Sequence, residues 1–155
     1  MAAHAYSEIF LHFTWHTAEN QPMLTGNVEA WVHDYLKNCC RQTSGVYFDD
    51  VGGTSDHIHL VARIEPQILI SDFVQKLKGA SSHDANEHFQ SKVLQWQRGY
   101  GVVSFGRRNL PWVKEYVQNQ RMHHTEETTV ERLEAVAEMD DVVREESAEY
   151  GACPI

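Results

Sequence analysis

The fold turns on VYFDDVGGTSDHIHLVARI, residues 46–64. Val46 to Val51 and His57 to Ile64 are rich in the β-branched and aromatic side chains that strands favour, and Gly52-Gly53 leads from the first run toward the second. The two runs therefore read as strands sharing a tight connection, the second closed by Pro66, which cannot donate to a ladder. In the second run His57 and His59 stand two apart, so both imidazoles leave on one face of the strand, about 6.6 Å apart along the chain. Such a pair can grip one ion.

Upstream, residues 6–17, YSEIFLHFTWHT, read as a first strand. One face carries Phe10, His12, Thr14 and His16, and the other, expected to be core, carries Ile9, Leu11, Phe13 and Trp15. Pro22 and Gly26 mark a loop, and Asn27 to about Thr43 places Val28, Trp31, Val32, Tyr35 and Leu36 at helical spacing. Downstream, Ile70 to about Phe89 is a second helix around Phe73, Val74 and Leu77, with Ser71 or Asp72 as its expected cap and Gly79 as a point of interruption. YGVVSFG, residues 100–106, is a short fourth strand, and Leu110 to His124 is a third helix with Pro111 in its first turn. Val130, Leu133, Val136, Ala137 and Val143 suggest a terminal amphipathic helix trailing into disorder near Gly151. The order β-α-β-β-α-β-α-α begins as the split βαβ pattern. The expected class is α+β: a ferredoxin-like, RRM-like antiparallel sheet with helices on one face, plus two further helices at the C-terminal end.

The third helix adds the second half of a constellation. Tyr116 and Gln120 lie four apart, so the phenol and the carboxamide share one helix face. Two histidines and one amide oxygen around a metal would keep positions open for a phosphate, and the neighbouring phenol is a candidate nucleophile. The other histidines, His12, His16, His33, His83 and His88, read as structural, while His123 and His124 lie one turn beyond Gln120 and are possible accessories.

The chain has 155 residues, 42% hydrophobic, enough for one domain with a real core. No stretch approaches the ~18 apolar residues of a membrane span, and the N-terminus lacks a basic flank before a long apolar run; a cytoplasmic protein is expected. Three cysteines, Cys39, Cys40 and Cys153, make neither a CxxC pair nor an even framework, so reduced thiols are expected. The net charge of −9 looks adverse for a nucleic-acid partner, yet ten acids and only two bases fall in residues 126–155. Between Gln75 and Arg121 eight bases face three acids. Lys76, Lys78, Arg98, Arg107, Arg108 and Arg121 from that stretch are candidate backbone contacts, set against the plainer reading of solvated surface charge. Trp96 and Phe105 could stack bases, but core packing is the stronger expectation for both. The division expected is a catalytic domain over 1–125 and an acidic helix or tail over 126–155.

The stretches YSEIFLHFTWHT, VGGTSDHIHLVARI, LISDFVQKLKGASS, LQWQRGYGVVSF and VKEYVQNQRMHH together resemble, in order and separation, the single-tyrosine HUH transposases of minimal insertion sequences and their REP-associated relatives. The resemblance covers residues 6–124. It implies that His57 and His59 are metal ligands, that Gln120 completes the site, and that Tyr116 is the nucleophile. It further implies Mg²⁺ or Mn²⁺ as cofactor, single-stranded DNA with hairpin ends as partner, a homodimer, and cleavage and rejoining through a 5′-phosphotyrosine. The acidic end is a departure from the family pattern. The alternatives are a domesticated hairpin-binding protein that no longer transposes, a replication-initiator nickase, which normally carries further domains, and an RRM-like RNA binder, which would need paired aromatics where the histidines stand.

Overall fold

A computed structural model describes residues 5–137. Strands β1 (Ile9–His16), β2 (Val46–Gly53), β3 (His57–Ile64) and β4 (Gly101–Phe105) form one antiparallel sheet in the order β2-β3-β1-β4. Helix α1 (Gly26–Gln42) connects β1 to β2, and α2 (Ile70–His88) connects β3 to β4. The expected α+β, ferredoxin-like architecture is the one observed.

Alternation along the strands explains the layering. Leu11, Phe13 and Trp15 of β1 and Ile58, Leu60, Ala62 and Ile64 of β3 point to one side, where they bury against Val32 and Leu36 of α1 and Val74 and Leu77 of α2. Trp96 joins this core edge-on to Trp15 at 5.9 Å, and its indole N–H donates to Ser81 Oγ at 2.9 Å. The other face of the sheet, carrying His12, Thr14, His57, His59 and Val61, is also buried. It is covered by α3 (Leu110–Gln118), whose Val113 and Val117 pack on Val61, and by the short α5 (Glu131–Glu134), which lies against β1 and β4. In antiparallel register His16 stands opposite His57 and Thr14 opposite His59, so the two central strands put four polar positions under that cover.

Five expectations on local structure are modified by the described residues. The third helix is two helices, α3 and α4 (Gln120–Thr125), because Asn119 leaves helical geometry at φ −105°, ψ 31°. Its amide N–H groups go to Glu115 O at 3.0 Å and Glu115 Oε1 at 2.8 Å, the local competition with the helical ladder that Asn makes readily. Gly79 does not interrupt α2, since the hydroxyls of Ser81 and Ser82 bond back onto Lys78 O and the turn continues. Neither Ser71 nor Asp72 caps α2, whose first turn follows Leu69 without a side-chain bond. Cys40 is a free buried thiol as expected, whereas Cys39 is disulfide-bonded. Among the described residues the expected terminal helix is represented by α5; Val143 and Gly151 lie outside them.

One glycine sets the distance between sheet and α3. A Cβ on Gly52 would sit 2.2 Å from Val117 O, so only a residue without one lets β2 approach the helix this closely. Gly52→Ala is expected to lower unfolding stability by about 1–3 kcal/mol through overpacking and to displace the helix that carries Tyr116. Chemical denaturation measures the first effect, and an unchanged midpoint would contradict the close packing described.

Candidate metal and nucleophile site

Strand β3 delivers His57 and His59, and the end of α3 with the start of α4 delivers Tyr116 and Gln120; the fold brings all four together beneath α5. His57 Nδ1 is held by Asp56 Oδ1 at 2.7 Å and by Thr54 Oγ1 at 2.8 Å, which turns Nε2 inward, 3.3 Å from Gln120 Oε1. His59 Nδ1 shares a hydrogen bond of 2.7 Å with His12 Nε2, which likewise turns its Nε2 inward. That Nε2 is buried and faces Glu134 Oε1 at 3.3 Å, a contact whose alignment falls short of a hydrogen bond. A buried imidazole whose one nitrogen is fixed by a neighbour and whose other faces a polar cluster fits a metal ligand. Gln120 Nε2 donates to Tyr116 O at 3.0 Å, so its Oε1 is the atom presented to the histidines.

Two residues that the motif does not contain complete the cluster. His124 Nε2 lies 3.2 Å from Gln120 Oε1 and 3.2 Å from Glu134 Oε1. Glu134 Oε1 also lies 3.4 Å from His57 Nε2 and 3.3 Å from His59 Nε2. His57, His59, His124 and Glu134 thus form a group able to hold a metal ion. The Tyr116 hydroxyl donates to Glu134 Oε2 at 2.5 Å and accepts from the Val130 N–H at 2.8 Å. Its ring is stacked between Trp112 and His123, and residue exposure is 1%.

Electrostatics follow from these contacts. Burial opposes charge on His57, but its hydrogen bonds to Asp56 and Glu134 outweigh burial and raise it to about 9. Burial lowers His59 to about 4 and, with the charge of His59 second, His12 to about 3. Burial first and the Glu134 hydrogen bond second push Tyr116 up to about 12. Glu134 is held well below the usual carboxylate range because its close contacts with His57 and His59 overcome its burial. Without an ion the site is therefore an imidazolium facing a carboxylate. An ion held by His57 would have to displace its proton, in which case affinity should rise about tenfold per pH unit from pH 6 toward 9 and level off above it. Titration with Mn²⁺ across that range measures this; an affinity independent of pH would show that His57 is not displaced.

The candidate DNA contacts are dispersed. Lys78 corrects the expectation for it: it is 3% exposed, and its ammonium donates to Gln97 O and Gly99 O at 2.7 Å each, so it is spent inside the fold. Arg107 pairs with Glu8, and Arg121 pairs with Glu29 at 2.6 Å. Lys76, Arg98 and Arg108 are exposed. Trp96 is core, as expected, and Phe105 is half-buried against Phe10. His12 and His16, read as merely structural, both border the site, His16 stacked on His57 at 4.9 Å. Position on the β1 face opposite β3 was the signal that could have placed them.

A histidine pair on a ferredoxin-like sheet, facing a tyrosine and a glutamine on a late helix, defines the single-tyrosine HUH transposases. The chain belongs to the family described as Transposase IS200 like, which it matches over residues 5–120. It is 26% identical over 115 residues to the ISDra2 transposase TnpA of Deinococcus radiodurans, covering 70% of this chain and 81% of that one. It is 33% identical over 72 residues to the transposase for insertion sequence element IS200 of Salmonella typhimurium, covering 43% and 47% respectively. A crystal structure of a candidate transposase from Deinococcus radiodurans superposes with a TM-score of 0.62 at 24% identity, over 77% of this chain and 96% of that one, a likeness of fold. Membership makes the chain a transposase of mobile elements and implies DNA binding with nuclease and strand-transfer chemistry. Among the described residues no helix is long and apolar enough to cross a membrane.

Proposed function

We propose that this transposase cleaves and rejoins single-stranded DNA through Tyr116. The phenolic oxygen attacks phosphorus, a tyrosyl O–P bond forms, the bond to the 3′ oxygen breaks, and the leaving 3′ oxygen takes up a proton. The products are a 5′-phosphotyrosine and a free 3′-hydroxyl. Because the phosphodiester energy is retained in the adduct, attack by another 3′-hydroxyl rejoins strands without ATP. The observation that carries the reading is the cluster in which the Tyr116 hydroxyl bonds Glu134, whose other oxygen stands 3.4 Å from His57 Nε2 and 3.3 Å from His59 Nε2.

His57, His59 and Gln120 are the proposed ligands of a divalent ion, Mg²⁺ or Mn²⁺. When bound, such an ion neutralises charge developing on a non-bridging phosphate oxygen. Asp56 and His12 hold the two imidazoles in the required orientation. With Tyr116 raised to about 12, its proton must leave to water at the moment of attack; Glu134 Oε2, a weak base in this setting, accepts the hydroxyl's hydrogen bond and orients it. The unit proposed for this chemistry is residues 1–125, working as a homodimer on hairpin-ended single strands, with α5 added from the acidic segment. Lys76, Arg98, Arg107, Arg108 and Arg121 are the proposed backbone contacts.

The burial of Tyr116, with its hydroxyl both donating and accepting, favours one second reading: a hairpin-binding relative that no longer transposes. Incubation with Mn²⁺ and a labelled single strand from the DNA flanking its own gene separates the two. Site-specific nicking that stops on chelation is the expected result. Tight binding without nicking would favour the second reading.

A further inference from the structure

We infer that Glu134 and His124 are ligands of the same ion as His57, His59 and Gln120, so that this chain closes its metal site with a carboxylate from the acidic segment beyond α4. The inference rests on the metal reading above and adds to it a ligand set, an ion preference and a link to the nucleophile.

The spacing of the donor atoms is the first argument. Donors about 2.0–2.2 Å from one ion stand roughly 2.8–3.1 Å from their nearest neighbours when six surround it and roughly 3.3–3.6 Å when four do. The contacts of Glu134 Oε1 with the three imidazole nitrogens and of Gln120 Oε1 with His57 and His124 all fall at 3.2–3.4 Å. The Nε2 of His59 is the second argument, since it is buried, aimed into this group and meets Glu134 Oε1 at 3.3 Å without a well-aligned hydrogen bond.

The segment that brings Glu134 is anchored independently of any ion. Leu133 is 3% exposed, and the Arg132 guanidinium donates to Ser104 O at 2.5 Å. Ala135 O lies where a Cβ on Gly101 would come within 1.8 Å, so a glycine in β4 is what admits the segment. Glu134 therefore sits on a docked turn rather than in solvent.

Two consequences follow. Three imidazole nitrogens with two oxygens suit borderline ions such as Co²⁺, Ni²⁺ or Zn²⁺, and accept Mn²⁺ more readily than Mg²⁺, which prefers oxygen and retains its waters. Five donors also leave one of six positions for a phosphate oxygen. Glu134 bridges as well: Oε1 faces the ion and Oε2 receives the Tyr116 hydroxyl, so one carboxylate fixes the nucleophile relative to the metal.

The test uses the full chain and Mn²⁺ alone, with free ion measured by electron paramagnetic resonance and bound nitrogens counted by its pulsed form. Glu134→Gln should weaken Mn²⁺ binding about tenfold or more, with partial recovery in Glu134→Asp. His124→Ala should lower the nitrogen count from three to two, and millimolar Mg²⁺ should fail to displace Mn²⁺ from the wild type. Circular dichroism checks that each variant folds, and the Glu134→Asp recovery separates lost ligation from lost docking. Binding by Glu134→Gln within twofold of wild type, or two nitrogens in the wild type, would overturn the inference. So would unchanged Mn²⁺ affinity with faster cleavage in Glu134→Gln, which would mark the carboxylate as a plug. His57→Ala is the control: if it too keeps full affinity, the metal reading itself fails, whereas loss there alone removes only the added ligands.

Discussion

Tyr116→Phe should bind its single strand as the wild type does and cut essentially none of it, a loss of at least about a thousandfold in cleavage rate. The ring keeps its stacking between Trp112 and His123, so the helix and its packing persist. Only the hydroxyl contacts with Glu134 and the Val130 amide go, at a cost of about 1 kcal/mol each. Strand cleavage and electrophoretic mobility shift, measured side by side, read the two effects. Continued nicking by this variant would remove Tyr116 from the chemistry.

His57→Ala is the second large effect. It deletes a nitrogen directed into the site and frees Asp56 and Thr54, whose bonds to Nδ1 fix the ring. Mn²⁺ affinity should fall by more than about a hundredfold, and cleavage should fall with it, while the core stays intact because His57 lies outside the Trp15–Trp96 cluster. Calorimetric titration with Mn²⁺ measures the affinity. A variant that binds and cleaves normally would place the ion elsewhere.

Much of this was legible in the residues because it rests on periodicity. The run from His57 to Ile64 begins and ends where the strand does, since alternation with a polar turn before it and Pro66 after it leaves little freedom. Tyr116 and Gln120 meet the histidines because a four-residue spacing survives even the break at Asn119, where α4 restarts at once. That break was hidden, since Asn on an amphipathic pattern reads as an exposed helical position until its bond to Glu115 is seen. Lys78 was misplaced for a related reason: a lysine in a basic stretch reads as surface, and only the tertiary fold brings Gln97 O and Gly99 O to its ammonium. Glu134 was hidden most completely. It is one of ten acids in residues 126–155, and no local pattern marks it out as the partner of β3. His12 was set aside as structural, although the strand face it shares with Thr14 and His16 already pointed it toward the partner of β3.

The central claim, that Tyr116 becomes covalently joined to DNA, is tested most directly by trapping the adduct. The protein is incubated with Mn²⁺ and a labelled strand spanning the end of its own element, denatured, digested and sequenced by mass spectrometry. The expected result is a nucleotide joined through its 5′-phosphate to the peptide containing Tyr116, absent in Tyr116→Phe. A cleaved strand ending in a free 5′-phosphate, with no modified peptide, would contradict it.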